Sequence, residues 1–119
     1  MPGHRADRVA EDIRREIVAV MKEIKDPRVA ERFLTVVRVN VSGDLSSAKI
    51  FVSSLKNIEE AEEAVKVLNK ASGFIRHEVG HNLRLRKAPE LLFVADDSIE
   101  HGMEIVKKLD SIAGGNNEN

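Results

Sequence analysis

Two overlapping sets of side chains in this chain have types and spacing that could do chemistry. The first is His77-Glu78-Val79-Gly80-His81, which fits the pattern H-E-x-x-H. On a helix, His77 and His81 lie one turn apart on one side. Their imidazole nitrogens could hold zinc, with Glu78 as general base toward a metal-bound water. Such a centre needs a third protein ligand. The version with a nearby third histidine requires Gly and His where Arg84 and Lys87 stand, so it fails here. Glu100 or Glu104 would have to serve instead. Arg76, Arg84, Arg86 and Lys87 would repel a cation, and Gly80 loosens the helix that must fix both ligands. A zinc-dependent hydrolase on this pentapeptide is therefore the alternative reading, and the preferred reading has no metal, no cofactor and no catalytic residues.

The second set is cationic. Between residues 70 and 87 stand Lys70, Arg76, Arg84, Arg86 and Lys87 against the single acid Glu78, a net of +4. Residues 59–66 carry four glutamates and one lysine, a net of −3. A chain of net charge −1 is thus strongly polarised over a short segment. Guanidinium and ammonium groups are what phosphate binding requires. Gly73 would let a nucleic-acid backbone come close, facing the first amides of a helix. Lys70, Ser72, Gly73, Arg76, Arg84, Arg86 and Lys87 are the expected RNA-contacting residues, with Arg5 and Arg8 added if the first helix lies alongside. There is no Trp or Tyr, and Phe51 is the aromatic residue expected on an open sheet face. Base stacking on a sheet is not expected; a reader of RNA backbone and shape, or a protein-binding module, is.

The elements that must position these residues follow from periodicity. Residues 6–25 place Val9, Ile13, Ile17, Val20 and Ile24 on one helical stripe, ended by Asp26-Pro27. Residues 33–42 alternate, with Phe33, Thr35, Val37, Val39 and Val41 expected inward. Residues 47–54 alternate again with Ala48, Ile50 and Val52 inward, and turn chemistry at 42–46 joins the two as an antiparallel hairpin. Asn57 is placed to cap a helix carrying Ile58, Ala61, Val65 and Leu68, with four glutamates near its positive end. The stripe continues through Ile75, Val79 and Leu83, but Ala71, Ser72 and Gly73 mark a kink between two helices. A strand at 90–95 and a helix carrying Ile99, Met103, Val106 and Leu109 complete the chain.

The expected order is α-β-β-α-kink-α-β-α, an α+β domain with three strands and helices packed on one face. The 119 residues read as a single domain over 1–113 with a frayed polar tail at 114–119. There is no cysteine, no apolar run of membrane-spanning length and no signal-type segment. These features suit a cytoplasmic protein with no membrane partner, expected to be a monomer.

The arrangement resembles the ribosome-binding factor A family, bacterial small-subunit maturation factors with a type II KH-like fold. The resemblance rests on Arg8-Val9 and Ile13, on Ile24-Lys25-Asp26-Pro27-Arg28, and on the hairpin residues Val39, Val41, Ser42, Asp44 and Leu45 with Ala48, Ile50, Val52 and Ser53. It continues through Ala71-Ser72-Gly73-Phe74-Ile75-Arg76 and through Leu85, Arg86, Pro89, Leu91, Phe93, Asp96 and Ser98. It implies a non-enzymatic factor that binds the immature small ribosomal subunit and its rRNA, assists late assembly and 5′-end processing, and is linked to cold adaptation. It further implies that Ala71-Ser72-Gly73 is an Ala-x-Gly kink in place of the G-x-x-G loop of ordinary KH domains. His77 and His81 are not part of the family pattern. A general RNA-binding adaptor without ribosome preference is a further alternative.

Overall fold

The computed structural model describes residues 2–98 together with Val106 and Leu109. Helix α1 (Pro2–Met21) and a one-turn helix α2 (Pro27–Ala30) precede strands β1 (Leu34–Val41) and β2 (Ser47–Ser54). Helices α3 (Ile58–Lys70) and α4 (Ser72–Asn82) then lead to strand β3 (Glu90–Ala95). The sheet order is β1-β2-β3. Strand β2 runs antiparallel to β1 and parallel to β3. The α3–α4 pair supplies the crossover that a parallel pair requires. This is the α+β architecture expected from the sequence.

The core lies between the sheet and the helices. Ile13, Ile17 and Val20 of α1, Leu68 of α3, and Ile75 and Val79 of α4 meet Ala48, Ile50 and Val52 of β2 and Phe93 of β3. Helix α4 fully buries only Ile75 and Val79, while Gly73, Phe74, His77, His81 and Asn82 are exposed. Asn69 fastens α3 to the outer strand. Its side-chain amide donates to Phe93 O at 3.0 Å, and its Oδ1 accepts from Phe93 N–H at 2.9 Å. The expected cap at Asn57 is present, its Oδ1 accepting from Glu60 N–H at 2.8 Å.

Three local expectations are corrected. Helix α1 ends at Met21, ahead of the proline, and Asp26-Pro27 opens α2. The Asp26 side chain accepts from Arg28 N–H at 2.9 Å, and Pro27 occupies the first turn, where its missing N–H costs nothing. Second, β1 does not keep one alternation throughout. Val36 pairs with Val52 and Arg38 with Phe51, which leaves Val37 as the extra residue of a β-bulge. Val36 is therefore buried, whereas Phe33 is 81% exposed and Val37 is 39% exposed, opposite to the expected phase. Beyond the bulge the phase agrees, and Val39 and Val41 pack on the core. Third, the glutamates placed near the positive end of α3 do more than answer its dipole. Arg32 donates to Glu60 O and to Glu63 Oε1, both at 2.9 Å, and ties the chain before β1 to α3. Most of the expected last helix and the tail at 114–119 lie outside the described residues; Val106 and Leu109 are helical and exposed.

The β1–β2 turn is built by polar side chains. The Asp44 carboxylate accepts the Ser42 and Ser46 hydroxyls, each at 2.7 Å, while Leu45 takes a left-handed conformation with φ 62°. On the sheet surface, the Arg38 guanidinium lies 4.2 Å from the centre of the Phe51 ring. Phe51 is thus covered by a cation.

Candidate nucleic-acid interface

The expected site residues gather around α4. Helix α3 stops at Lys70, and Ala71 (φ −92°, ψ 7°) is both its C-cap and the N-cap of α4. Its N–H still bonds Val67 O at 3.0 Å, and its carbonyl accepts from Ile75 N–H at 3.0 Å. The two helices therefore meet without an intervening loop. Gly73 does not make this break. It has no positive φ, and a Cβ built on it would meet nothing within 4 Å. Its bare backbone instead opens outward.

Gly80 is the glycine that permits a close approach. A Cβ there would sit 3.0 Å from the Ala88 Cβ, so the chain leading into β3 passes directly against α4. Arg76 holds that passage. Half-buried, it donates Nε and Nη2 to Ala88 O at 3.1 and 2.9 Å. Part of its donor set therefore serves the fold.

The far end of α4 closes with a Schellman pattern. Leu85 N–H donates to Gly80 O at 2.9 Å and Arg84 N–H to His81 O at 3.2 Å. The left-handed residue in such a cap is usually glycine, yet here it is Arg84, with φ 54°. The conformation costs a non-glycine residue about 1 kcal/mol, and it sets an arginine where the chain leaves the helix. Arg84, Arg86 and Lys87 are all exposed, and none of the three makes a salt bridge among the described residues. Lys70 and Arg8 are exposed; the side chain of Arg5 lies outside the described part. Asn82 Nδ2 donates to Glu16 Oε1 at 2.6 Å and joins the end of α4 to α1.

Between the break and the cap runs an open groove of about 450 Å³, lined by Gly73, Arg76, His77, Gly80, His81, Leu85 and Ala88. Both histidines are exposed, with ring centroids 6.4 Å apart and planes 11° from parallel. Among the described residues no group of three or more His, Asp or Glu side chains could hold a metal ion. The third ligands considered from sequence, Glu100 and Glu104, lie outside those residues. No helix among the described residues is long and apolar enough to cross a membrane. The sequence points to Phe51 on the sheet as the exposed aromatic ring, but Phe74 at the start of α4 is 49% exposed. Its recurrence with His77 and His81 at helical spacing was the available signal.

The profile of the family described as Ribosome-binding factor A matches residues 5–109. This chain belongs to that family. Ribosome-binding factor A of Desulfitobacterium hafniense is 44% identical over 110 residues, covering 92% of this chain and 86% of the relative. That of Clostridium tetani is 42% identical over 113 residues, covering 94% and 93%. Among solved structures, a Thermotoga maritima protein described as a candidate ribosome binding factor A and studied by NMR superposes with a TM-score of 0.71 at 37% identity, covering 84% of this chain and 94% of that one. A homology model of the Thermus thermophilus ribosome binding factor A, fitted into a cryo-EM map of a 30S complex of that factor, gives 0.60 at 25% identity, covering 72% and 89%.

Proposed function

We propose that this member of the ribosome-binding factor A family binds the immature small ribosomal subunit through rRNA phosphates and takes part in its late assembly and 5′-end processing, without catalysis of its own. The observation that carries the reading is the exposed cation group Arg84, Arg86 and Lys87 at the end of α4, held out by a left-handed arginine in a helix cap. Lys70, Ser72 and Gly73 border the same helix at its other end, where an open glycine backbone leaves room for a sugar–phosphate chain. The relative fitted into a 30S complex supports the choice of partner. A cytoplasmic, monomeric factor with a role in cold growth fits this reading.

The test is charge reversal. Arg84→Glu, Arg86→Glu and Lys87→Glu together should leave the circular dichroism spectrum unchanged and lower co-sedimentation with small subunits at moderate salt by at least about tenfold, with a shallower salt dependence. Unchanged co-sedimentation overturns the site. Equal binding to subunits and to unrelated free RNA in competition marks a general RNA-binding adaptor instead. Stoichiometric zinc with a peptidase activity lost in His81→Ala would restore the hydrolase reading.

A further inference from the structure

Phe74, His77 and His81 stand three and four residues apart on α4, which places them within about 60° of one another around the helix axis. All three are exposed, although two are planar and weakly polar and one is wholly apolar. The core does not need them, since α4 packs inward through Ile75 and Val79. Among the described residues the ring contact they make is with each other, His77 with His81.

The separation of those two rings is informative. A planar ring stacked between two others needs about 6.8 Å between them, twice the roughly 3.4 Å rise of stacked bases. The His77 and His81 centroids are 6.4 Å apart and their planes 11° from parallel. That is short of the spacing needed, so a base enters only as the two exposed rings part. The groove on this flank is bounded by Gly73 and Gly80, which remove side-chain bulk beside the rings. The cations Arg84, Arg86 and Lys87 follow at the end of the same helix, where a phosphate chain would be drawn.

We infer that Phe74, His77 and His81 form a stacking ladder for unstacked bases of a single-stranded RNA segment, one base entering between the two imidazoles. The inference rests on the RNA-binding reading above and adds a nucleotide-base component to a surface otherwise suited only to phosphates. A metal ion held by the same two histidines is the competing use of this pair, and the test separates them. Stacking needs only flat rings, while a metal needs ring nitrogens.

The probe is a purine-rich single-stranded RNA dodecamer carrying one 2-aminopurine, titrated in EDTA with the full chain. Stacking quenches its fluorescence, and a duplex of the same sequence should show little quenching. His77→Ala with His81→Ala should weaken binding by about tenfold and abolish the quenching while leaving Tm unchanged. His77→Phe with His81→Phe should retain both. Absence of quenching with the unmodified protein, or no change in the alanine pair, overturns the ladder. So does loss in the phenylalanine pair equal to that in the alanine pair, or an effect that appears only when zinc replaces EDTA. The assay is independent of the ribosome. If subunit binding fails but quenching holds, the error lies in the choice of partner and not in the ladder.

Discussion

Arg76 holds Ala88 by two hydrogen bonds to one carbonyl oxygen, from Nε at 3.1 Å and Nη2 at 2.9 Å. Ala88 begins the extended segment that enters β3, so an arginine counted from sequence as an RNA contact also closes the fold behind α4. Hydrogen bonds from a charged donor contribute about 1.5–3 kcal/mol each at most, less where water competes. Arg76→Ala should therefore destabilise the protein by about 1–3 kcal/mol in urea unfolding. Arg76→Lys should recover less than half of that, because an ammonium on a flexible stem does not reproduce the fork. A change below about 0.5 kcal/mol for Arg76→Ala would show that the clamp is dispensable.

Arg84 separates stability from binding. Its φ of 54° is a conformation that glycine adopts without penalty. Arg84→Gly should raise unfolding free energy by about 0.5–1 kcal/mol. The same change removes one exposed cation, so affinity for small subunits should fall several-fold and the salt slope should decrease by about one ion. Increased stability with unchanged affinity would mean that Arg84 serves only the cap.

The sequence was informative where a single physical requirement fixed the pattern. Ala48, Ile50 and Val52 alternate without interruption because β2 is central and faces one core, and they are buried as expected. Asn57 was legible as a cap because its side chain answers a purely local need. The beginning of β1 was not, because Leu34 and Val36 compete with Phe33, Thr35 and Val37 as two apolar registers of opposite parity. The bulge at Val37 allows the strand to use one register and then the other. Nothing local announces a bulge. It is settled by which residues β2 has already placed opposite. The cation group could be read from composition. The exchange of roles between Gly73 and Gly80 could not, since a close approach depends on Ala88 returning past α4.

Acid stability should report the two surface carboxylates at loop positions. Asp26 is lowered from 3.8 to about 2, chiefly by the Arg28 side chain and then by the Arg28 backbone N–H. Asp44 is lowered from 3.8 to about 2 by the Ser46 and Ser42 hydroxyls and the Ser46 backbone N–H. A carboxylate depressed in the folded state contributes stability above its unfolded value, and that contribution is lost as pH falls through the folded value. The relevant window is therefore from about pH 4 down to about pH 2. Tm should fall through that window, and the fall should be shallower in Asp26→Asn with Asp44→Asn. Parallel curves for variant and parent would show that neither interaction persists in solution. Added salt should weaken the Asp26 share more than the Asp44 share, because only the former faces a cation.

The paired glycines of α4 give opposite expectations for one substitution. At Gly73 an added methyl meets nothing within 4 Å, and the backbone is already helical. Gly73→Ala should therefore leave stability unchanged or raise it by up to about 1 kcal/mol. At Gly80 the methyl would lie 3.0 Å from the Ala88 Cβ, in a segment that Arg76 holds in place. Overpacking of this kind costs about 1–3 kcal/mol, which cancels or exceeds the helical gain. Gly80→Ala should thus be less stable than Gly73→Ala by about 1–3 kcal/mol in matched unfolding curves. Subunit binding should show the reverse order. Gly73→Ala crowds the open junction where an RNA backbone would approach, and should weaken co-sedimentation despite its sound fold. Equal binding by Gly73→Ala and the parent would mean that the junction acts only as a turn between two helices, leaving recognition to the far end of α4.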